Sequence, residues 1–355
     1  MKKVNIGIIG CGNISEAYLI AAKSFPIMQI TACADINLDA AKSKADAHNI
    51  EAMSVENILQ NPDIDIILNL TTPQAHTEIN LKALNAGKNV HCEKPFALTR
   101  DDGKKVLSLA KEKGLFVGCA PDTFLGGGIQ TCRKIIDDGD IGKPVAGTAF
   151  MMCHGHESWH PNPGFYYLKG GGPLFDMGPY YITALVNLLG PAKKVTGTII
   201  QGQKYRTIGI GPKKGKKFKV ECPTTYLSTI TFKNNSVIRL TLSFDVIAHQ
   251  RNHIELYGEK GSMIVPDPNR FGGSVLTCNK LGDNWREFKT SKMPLGRINI
   301  RTQSSRANET PTNANYRGVG LSEMAYSIEN KRKHLCSGEI SLHVLDIITS
   351  IMKAA

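Results

Sequence analysis

The chain contains no CxxC pair, no internal repeat, no low-complexity tract and no run approaching the roughly 18 apolar residues of a membrane span. Each absence excludes something. The nine cysteines lie singly, among them Cys11, Cys33, Cys92, Cys119 and Cys153, and so signal neither a zinc ribbon nor a redox dithiol. Several sit inside apolar strand-like runs, where a free thiol behaves as a small hydrophobe. That usage fits a reducing, cytoplasmic setting. Met1-Lys2-Lys3 and the apolar stretch after it imitate a secretory leader. Gly10, Gly12, Asn13, Ser15 and Glu16 interrupt the stretch, however, and no small-residue cleavage site follows. No membrane partner is expected.

The net charge is +12, which raises nucleic acid as a partner. The densest cluster is Lys213, Lys214, Lys216, Lys217 and Lys219 around Gly215. A lone aromatic, Phe218, within it does not make the interleaved series of a base-stacking platform, so the cluster reads as a solvated hairpin or loop and no nucleic acid is expected. The excess charge suits anionic ligands instead.

The chain has 355 residues, at roughly 100–200 residues per domain enough for two domains. Up to Pro121, strand-like and helix-like segments alternate. Val4 to Ile9 is an apolar run of the kind buried on both faces. Asn13 to Lys23 carries Ile14, Ala17, Tyr18 and Ala21 on one helical face. A second run, Gln29 to Ala34, ends at Asp35, and Leu38 to His48 reads as helix. Ile64 to Leu70 follows as a strand, then Thr72-Pro73 as cap and first residue of a helix ending at Gly87. Asn89 to Cys92 is a strand, Thr99 caps a helix ending at Gly114, and Leu115 to Cys119 is a fifth strand. The alternation is that of a doubly wound parallel sheet, a Rossmann domain over residues 1–121. From residue 122 to 355 strands predominate: Val145 to Cys153, Val195 to Gln201, Tyr226 to Phe232, Val237 to Phe244 and Asn252 to Tyr257. Helices are expected at Gly127 to Asp137, Leu174 to Leu189 and Leu342 to Met352. This second domain is α+β, with an open, mostly antiparallel sheet for substrate binding and oligomerisation.

Gly10-Cys11-Gly12-Asn13-Ile14-Ser15 lies between the first strand and the first helix. Gly10 permits the tight turn, Gly12 lets backbone approach a pyrophosphate, and the helix N-terminus at Asn13 and Ile14 offers free N–H groups. Ser15 stands where a third Gly or Ala is usual. Asp35, about 20 residues on at the end of the second strand, completes the dinucleotide fingerprint. Its carboxylate accepts from ribose hydroxyls and repels a 2′-phosphate, and Ile36, Asn37 and Leu38 supply no arginine for that phosphate. The expected cofactor is NAD rather than NADP. The alternative is that Asp35 caps the next helix.

Glu93-Lys94-Pro95 follows the fourth strand, at the carboxyl edge where open α/β sheets bind ligands. A lysine there can stabilise negative charge on a substrate oxygen; alone, the motif would also fit a surface Lys–Glu pair. Together with the glycine turn, Asp35, Thr71-Thr72-Pro73 with His76, and Gly170-Gly171-Gly172-Pro173-Leu174-Phe175-Asp176-Met177-Gly178, it makes the whole chain resemble the Gfo/Idh/MocA oxidoreductases. The resemblance implies an NAD-dependent dehydrogenase or reductase that moves hydride between nicotinamide and a hydroxyl or carbonyl of a sugar, glycoside or cyclitol. It implies cofactor contacts from Gly10, Gly12, Asn13, Ile14, Asp35, Thr71, Thr72, Pro73, His76, Glu93 and Lys94. Lys94 would contact the reacting oxygen.

Many members read Asp-x-Gly-x-His at the later motif, with the histidine as acid/base. Here Asp176 and Gly178 match, but Tyr180 stands at the histidine position. At i and i+4 of one helix, Asp176 and Tyr180 would share a face, with a kink at Pro179. Tyrosine has a reference pKa of about 10, and a nearby Lys94 cation would favour its phenolate. The expected catalytic set is therefore Lys94, Asp176 and Tyr180. The other reading makes Tyr180 a pocket wall, with Tyr181 or a histidine serving instead.

His154-Gly155-His156-Glu157-Ser158-Trp159-His160-Pro161 lacks the spacing of a zincin helix, and no metal is expected. It reads as a substrate loop. Trp159 would stack on a sugar ring, and His154, His156, Glu157 and His160 would bind hydroxyls; alternatively these residues pack the loop under the sheet. Asp122 and Thr123, where many members carry arginine, offer hydrogen bonds suited to neutral hydroxyls. Asn315, Tyr316 and Arg317 are weaker candidates. Competing activities are a redox-neutral glycosidase or epimerase that recycles its hydride, and a non-catalytic NAD sensor. A homodimer or homotetramer packed through the second domain is expected, following the family's habit.

Overall fold

A computed structural model describes residues 3–297 and 316–354. The chain divides into two compact units, one of residues 1–125 with 299–345, the other of 126–298 with 346–355. The segment from Tyr316 to Leu345 returns to the first unit.

The first unit runs β1 (Val4–Ile9), α1 (Asn13–Ala22), β2 (Met28–Ala34), α2 (Leu38–His48), β3 (Glu51–Ala52), α3 (Val55–Gln60), β4 (Ile66–Asn69), α4 (His76–Asn85), β5 (Asn89–Cys92), α5 (Arg100–Lys113) and β6 (Val117–Cys119). Six strands form a sheet in the order β3-β2-β1-β4-β5-β6, every pairing parallel. The order reverses between β1 and β4, the switch point where such sheets take ligands beyond the strand carboxyl ends. β1 and β4 are almost wholly buried, which accounts for their continuous apolar sequence. Thr99 caps α5 through its side chain, and Gly114 closes it in the left-handed region. One expectation needs correction: Thr72-Pro73 does not open α4. Ala75 N–H donates to Thr72 O at 2.9 Å in a turn, and the helix starts at His76 with Ala75 at the cap.

The second unit contains α6 (Gly127–Asp137), β7 (Pro144–Met152), α7 (Gly172–Asp176), α8 (Gly178–Leu189), β8 (Ala192–Ile200), β9 (Tyr205–Thr207), β10 (Lys217–Lys219), β11 (Thr225–Phe232), β12 (Val237–Ser243), β13 (Ile254–Gly258), β14 (Ser262–Val265), β15 (Val275–Cys278) and β16 (Arg286–Phe288). Eight strands form a sheet ordered β16-β15-β14-β13-β7-β12-β11-β8, antiparallel except for β7 with β12. Ala149, Ile230, Ile238, Leu240, Leu242 and Leu256 form its buried face. Phe150, Leu227, Ile264 and Leu276 alternate with them and are only half-buried. β9 and β10 make a separate ribbon that carries the lysine cluster.

The expected single helix from Leu174 to Leu189 is two helices, broken at Met177. Pro179 lies in the first turn of α8. Lacking an N–H and clashing with the carbonyl four residues back, it prevents α7 from continuing. Asp176 and Tyr180 therefore do not share one helix face.

α9 (Val319–Glu329) belongs to the first unit. Its Leu321, Met324 and Ala325 join the core of Ile6, Ile8, Tyr18, Cys33 and Leu68. α10 (Gly338–Lys353) closes the described chain.

Candidate active site

In the first unit the site begins at the turn after β1. Gly10 has φ of +106°, and a Cβ there would lie 2.6 Å from the Leu70 carbonyl, so only glycine fits. At Gly12 a Cβ would meet nothing within 4 Å, so the turn opens onto free space. Gly12 and Asn13 are exposed, Ile14 is half-buried, and no side chain caps α1. The helix thus keeps N–H groups for an anion. These are the features a pyrophosphate cradle requires, and the residues present fit a dinucleotide.

Asp35 is half-buried beyond β2. Its Oδ2 accepts the Cys11 N–H at 2.7 Å and its Oδ1 the Asn37 N–H at 2.8 Å. The cap of α2 is Asn37, not Asp35. Asp35 instead fixes the glycine turn, and a carboxylate has lone pairs left for ribose hydroxyls.

After β4, Thr71 Oγ1 donates to Asn69 Oδ1 at 2.7 Å. Thr72 is exposed and Pro73 half-buried. His76 is buried, its Nδ1 2.7 Å from Pro95 O and its Nε2 3.1 Å from Thr71 O. Both neighbours are carbonyls that only accept, so both ring nitrogens donate and the ring is an imidazolium. Burial opposes that charge, but the neighbouring Cys92 side chain and the two carbonyls override it, and the pKa rises to about 9. His76 thereby ties the Thr71 turn to the Lys94-Pro95 turn.

Tyr18 of α1 donates to Glu93 Oε1 at 3.0 Å, and the Lys94 N–H to Glu93 Oε2 at 3.0 Å. The buried Glu93 thus anchors Lys94 to the helix that opens on the glycine turn. Asp122 is fully buried, and its Oδ2 accepts the N–H groups of Gly318 and Gly320 at 3.0 and 3.1 Å at the start of α9. Burial raises its pKa, against the nearby Arg317 guanidinium, whose Nη1 is 4.0 Å from Asp122 Oδ1. Thr123 and Tyr316 are also buried. Asn315 lies outside the described residues.

In the second unit the loop after β7 supplies the polar groups. His156 Nε2 is 2.7 Å from Asp176 Oδ2. The imidazole sits among Trp159, Tyr166 and Phe244, with centroids at 4.9, 4.3 and 4.6 Å. Trp159 is 36% exposed and Phe165 54% exposed, which leaves aromatic surface free to stack. His160 Nδ1 accepts the Asn162 N–H at 3.0 Å, and His154 is exposed. Tyr180 is buried near the start of α8. Tyr181 is bound through its hydroxyl to His253 Nδ1 at 2.7 Å, and burial raises its pKa well above the usual value.

Behind the loop lies a charged group that sequence reasoning left unassigned. Arg206, on β9, donates through Nη1 to Glu157 Oε1 at 2.5 Å and to His154 O at 2.8 Å, and through Nη2 to Asp245. Tyr167 donates to Glu157 as well. Burial would lower the Arg206 pKa, but Glu157, Tyr167 and Asp245 raise it. One signal was available: Arg206 is an arginine between Lys204 and a run of lysines, and a buried forked ion pair selects arginine over lysine. Among the described residues no cluster of three or more His, Cys, Asp or Glu could hold a metal ion.

A doubly wound sheet with this turn and acid defines a dinucleotide-binding protein. Residues 4–120 match the model of an oxidoreductase family with an NAD-binding Rossmann fold, and residues 129–264 match the GFO/IDH/MocA C-terminal domain. The chain belongs to the Gfo/Idh/MocA family; it is an NAD-dependent oxidoreductase. Among similar proteins, a 1,5-anhydro-D-fructose reductase of Ensifer adhaerens is 23% identical, over 98% of this chain and 95% of its own length. A levoglucosan dehydrogenase of Pseudarthrobacter phenanthrenivorans is 23% identical, over 82% of this chain and 80% of its own. A solved levoglucosan dehydrogenase in complex with NADH and L-sorbose superimposes with a TM-score of 0.82 at 20% identity, covering 100% of this chain and 97% of that one.

Proposed function

We propose that this enzyme transfers hydride between NAD and a CH–OH or C=O group of a sugar, glycoside or cyclitol. The observation that carries the reading is the anchoring of Lys94. Glu93 and Tyr18 hold it at the carboxyl edge of β5, tied to the same helix that offers its N-terminus to the cofactor. The reductase and dehydrogenase named above act on anhydrofructose and levoglucosan, which supports a sugar-like substrate. Asp35, with no arginine in Ile36-Asn37-Leu38, favours NAD over NADP.

The nicotinamide, when bound, supplies the hydride acceptor. The chain's own residues do the rest. Lys94 hydrogen-bonds the reacting oxygen and stabilises charge as it develops. Tyr180, as the phenolate, takes the hydroxyl proton and becomes the phenol. Asp176 orients a neighbouring hydroxyl, and Trp159 stacks on the ring. Thr71, Thr72, Pro73 and His76 shape the cofactor side. We further assign self-association to the half-buried sheet face of the second unit, and a cytoplasmic location on the strength of nine free thiols. Among the described residues no helix is long and apolar enough to cross a membrane.

The test is NADH formation across a panel of neutral sugars and cyclitols. A substrate of this class should reduce NAD, and Lys94→Ala should lower kcat/KM roughly 100- to 1000-fold. Turnover without net NADH would replace the dehydrogenase with a hydride-recycling enzyme. Full activity in Lys94→Ala would refute the catalytic assignment.

A further inference from the structure

Asp176 is the last residue of α7, just before the break that Pro179 imposes. Helical position therefore does not fix its carboxylate against Tyr180. The His156 contact does fix it, from a residue twenty positions earlier in the chain. An ionised carboxylate only accepts, so Nε2 carries the proton that bridges them. In the neutral ring Nδ1 is then the bare acceptor. It is buried and has no hydrogen-bond partner, and His156 itself is only 8% exposed. A ring placed for packing alone would not bury one nitrogen unmatched while directing the other at a carboxylate.

The backbone that carries His156 is fixed from behind. Its N–H donates to Tyr167 Oη at 3.2 Å. Arg206 holds His154 O on one side and Glu157 on the other, and its guanidinium lies 5.3 Å from the Tyr167 ring centroid. Gly155 has φ of +95°, and a Cβ there would fall 2.2 Å from Tyr167 Oη. Only glycine lets the chain pass so close to the charged group. A buried ion pair adds little to stability; what it fixes here is the course of residues 154–157.

We propose that His156 is a positioning residue for the reaction. It holds the Asp176 carboxylate in one orientation, and the Arg206–Glu157 pair keeps the His156 backbone in place. The proposal rests on the reading above, in which Asp176 binds a substrate hydroxyl.

The test compares His156→Phe with His156→Gln, whose amide nitrogen reproduces the Nε2 donor. His156→Phe should lower kcat about 100-fold, as misplacement of an orienting group does, and leave the KM for NAD unchanged. His156→Gln should recover to within roughly tenfold of wild type, since the lost orientation is what it restores. Equal loss in both variants, or none in His156→Phe, overturns the proposal. A second measurement needs no substrate and no variant that must fold. Nitrogen-15 NMR of the histidine-labelled wild-type protein should show His156 as the single Nε2–H tautomer; an Nδ1–H ring or a tautomer mixture overturns the pairing. Should no sugar reduce NAD while this tautomer is found, the substrate reading fails and the pairing stands.

Discussion

Two buried histidines of the first unit take different protonation states, one cationic and one neutral, for reasons visible at each ring. His76 has an acceptor at both nitrogens and stays protonated to about pH 9. His91 of β5 has no partner at either nitrogen, and burial, aided by nearby His334, pulls its pKa down to about 3. The linkage has a definite sign. Below the ordinary histidine value of about 6.5, the unfolded chain takes up a proton that folded His91 refuses until about pH 3. Its contribution to stability is complete above that ordinary value and is lost as the pH falls through the window. Urea unfolding from pH 7 down to 4 should give wild type a slope steeper than His91→Met by roughly 1 kcal/mol per pH unit. Identical slopes would mean that His91 already binds a proton in the native state.

At the scale of elements, caps decide where helices begin and end. Thr99 Oγ1 accepts the Asp102 N–H at 3.1 Å, so Thr99→Ala should lower the unfolding free energy by about 1 kcal/mol while Thr99→Ser preserves it; thermal melts decide the point. Caps of this kind made much of the first unit readable. Thr99 and Gly114 bound α5 as their chemistry requires, and the buried β1 and β4 announce themselves as unbroken apolar runs. β3 and α3 are too short to show a period. Thr72-Pro73 has a capping sequence but makes a turn, because His76 is held by carbonyls on two sides and fixes where α4 starts. The candidate site is legible in part for the same reason. Gly10, Asp35 and Lys94 sit at predictable positions beside strand ends. The His156–Asp176 and Arg206–Glu157 contacts join residues far apart in sequence, and no local pattern encodes them. Asp122 is the extreme case: a polar residue after β6 serves a helix near the far end of the chain.

For the whole molecule, the sheet of the second unit carries the clearest demand. One face is filled, and the other presents half-buried Phe150, Leu227, Ile264 and Leu276 with Val237 and Tyr257, which are 39% and 37% exposed. A second copy of the chain is the partner we assign to it. Light scattering should return the mass of two or four chains, and Leu227→Lys should shift it toward one; a wild-type monomer would refute the assignment. The return of α9 to the first unit bears on synthesis. Leu321, Met324 and Ala325 complete the core around Ile6, Ile8 and Tyr18, and Asp122 finds its partners only at Gly318 and Gly320. A nascent polypeptide that has left the ribosome only as far as Leu125 still has an open flank beside β1 and α1. The cofactor unit, although first to be translated, therefore cannot close this flank until α9 has emerged, after the whole of the segment 126–298.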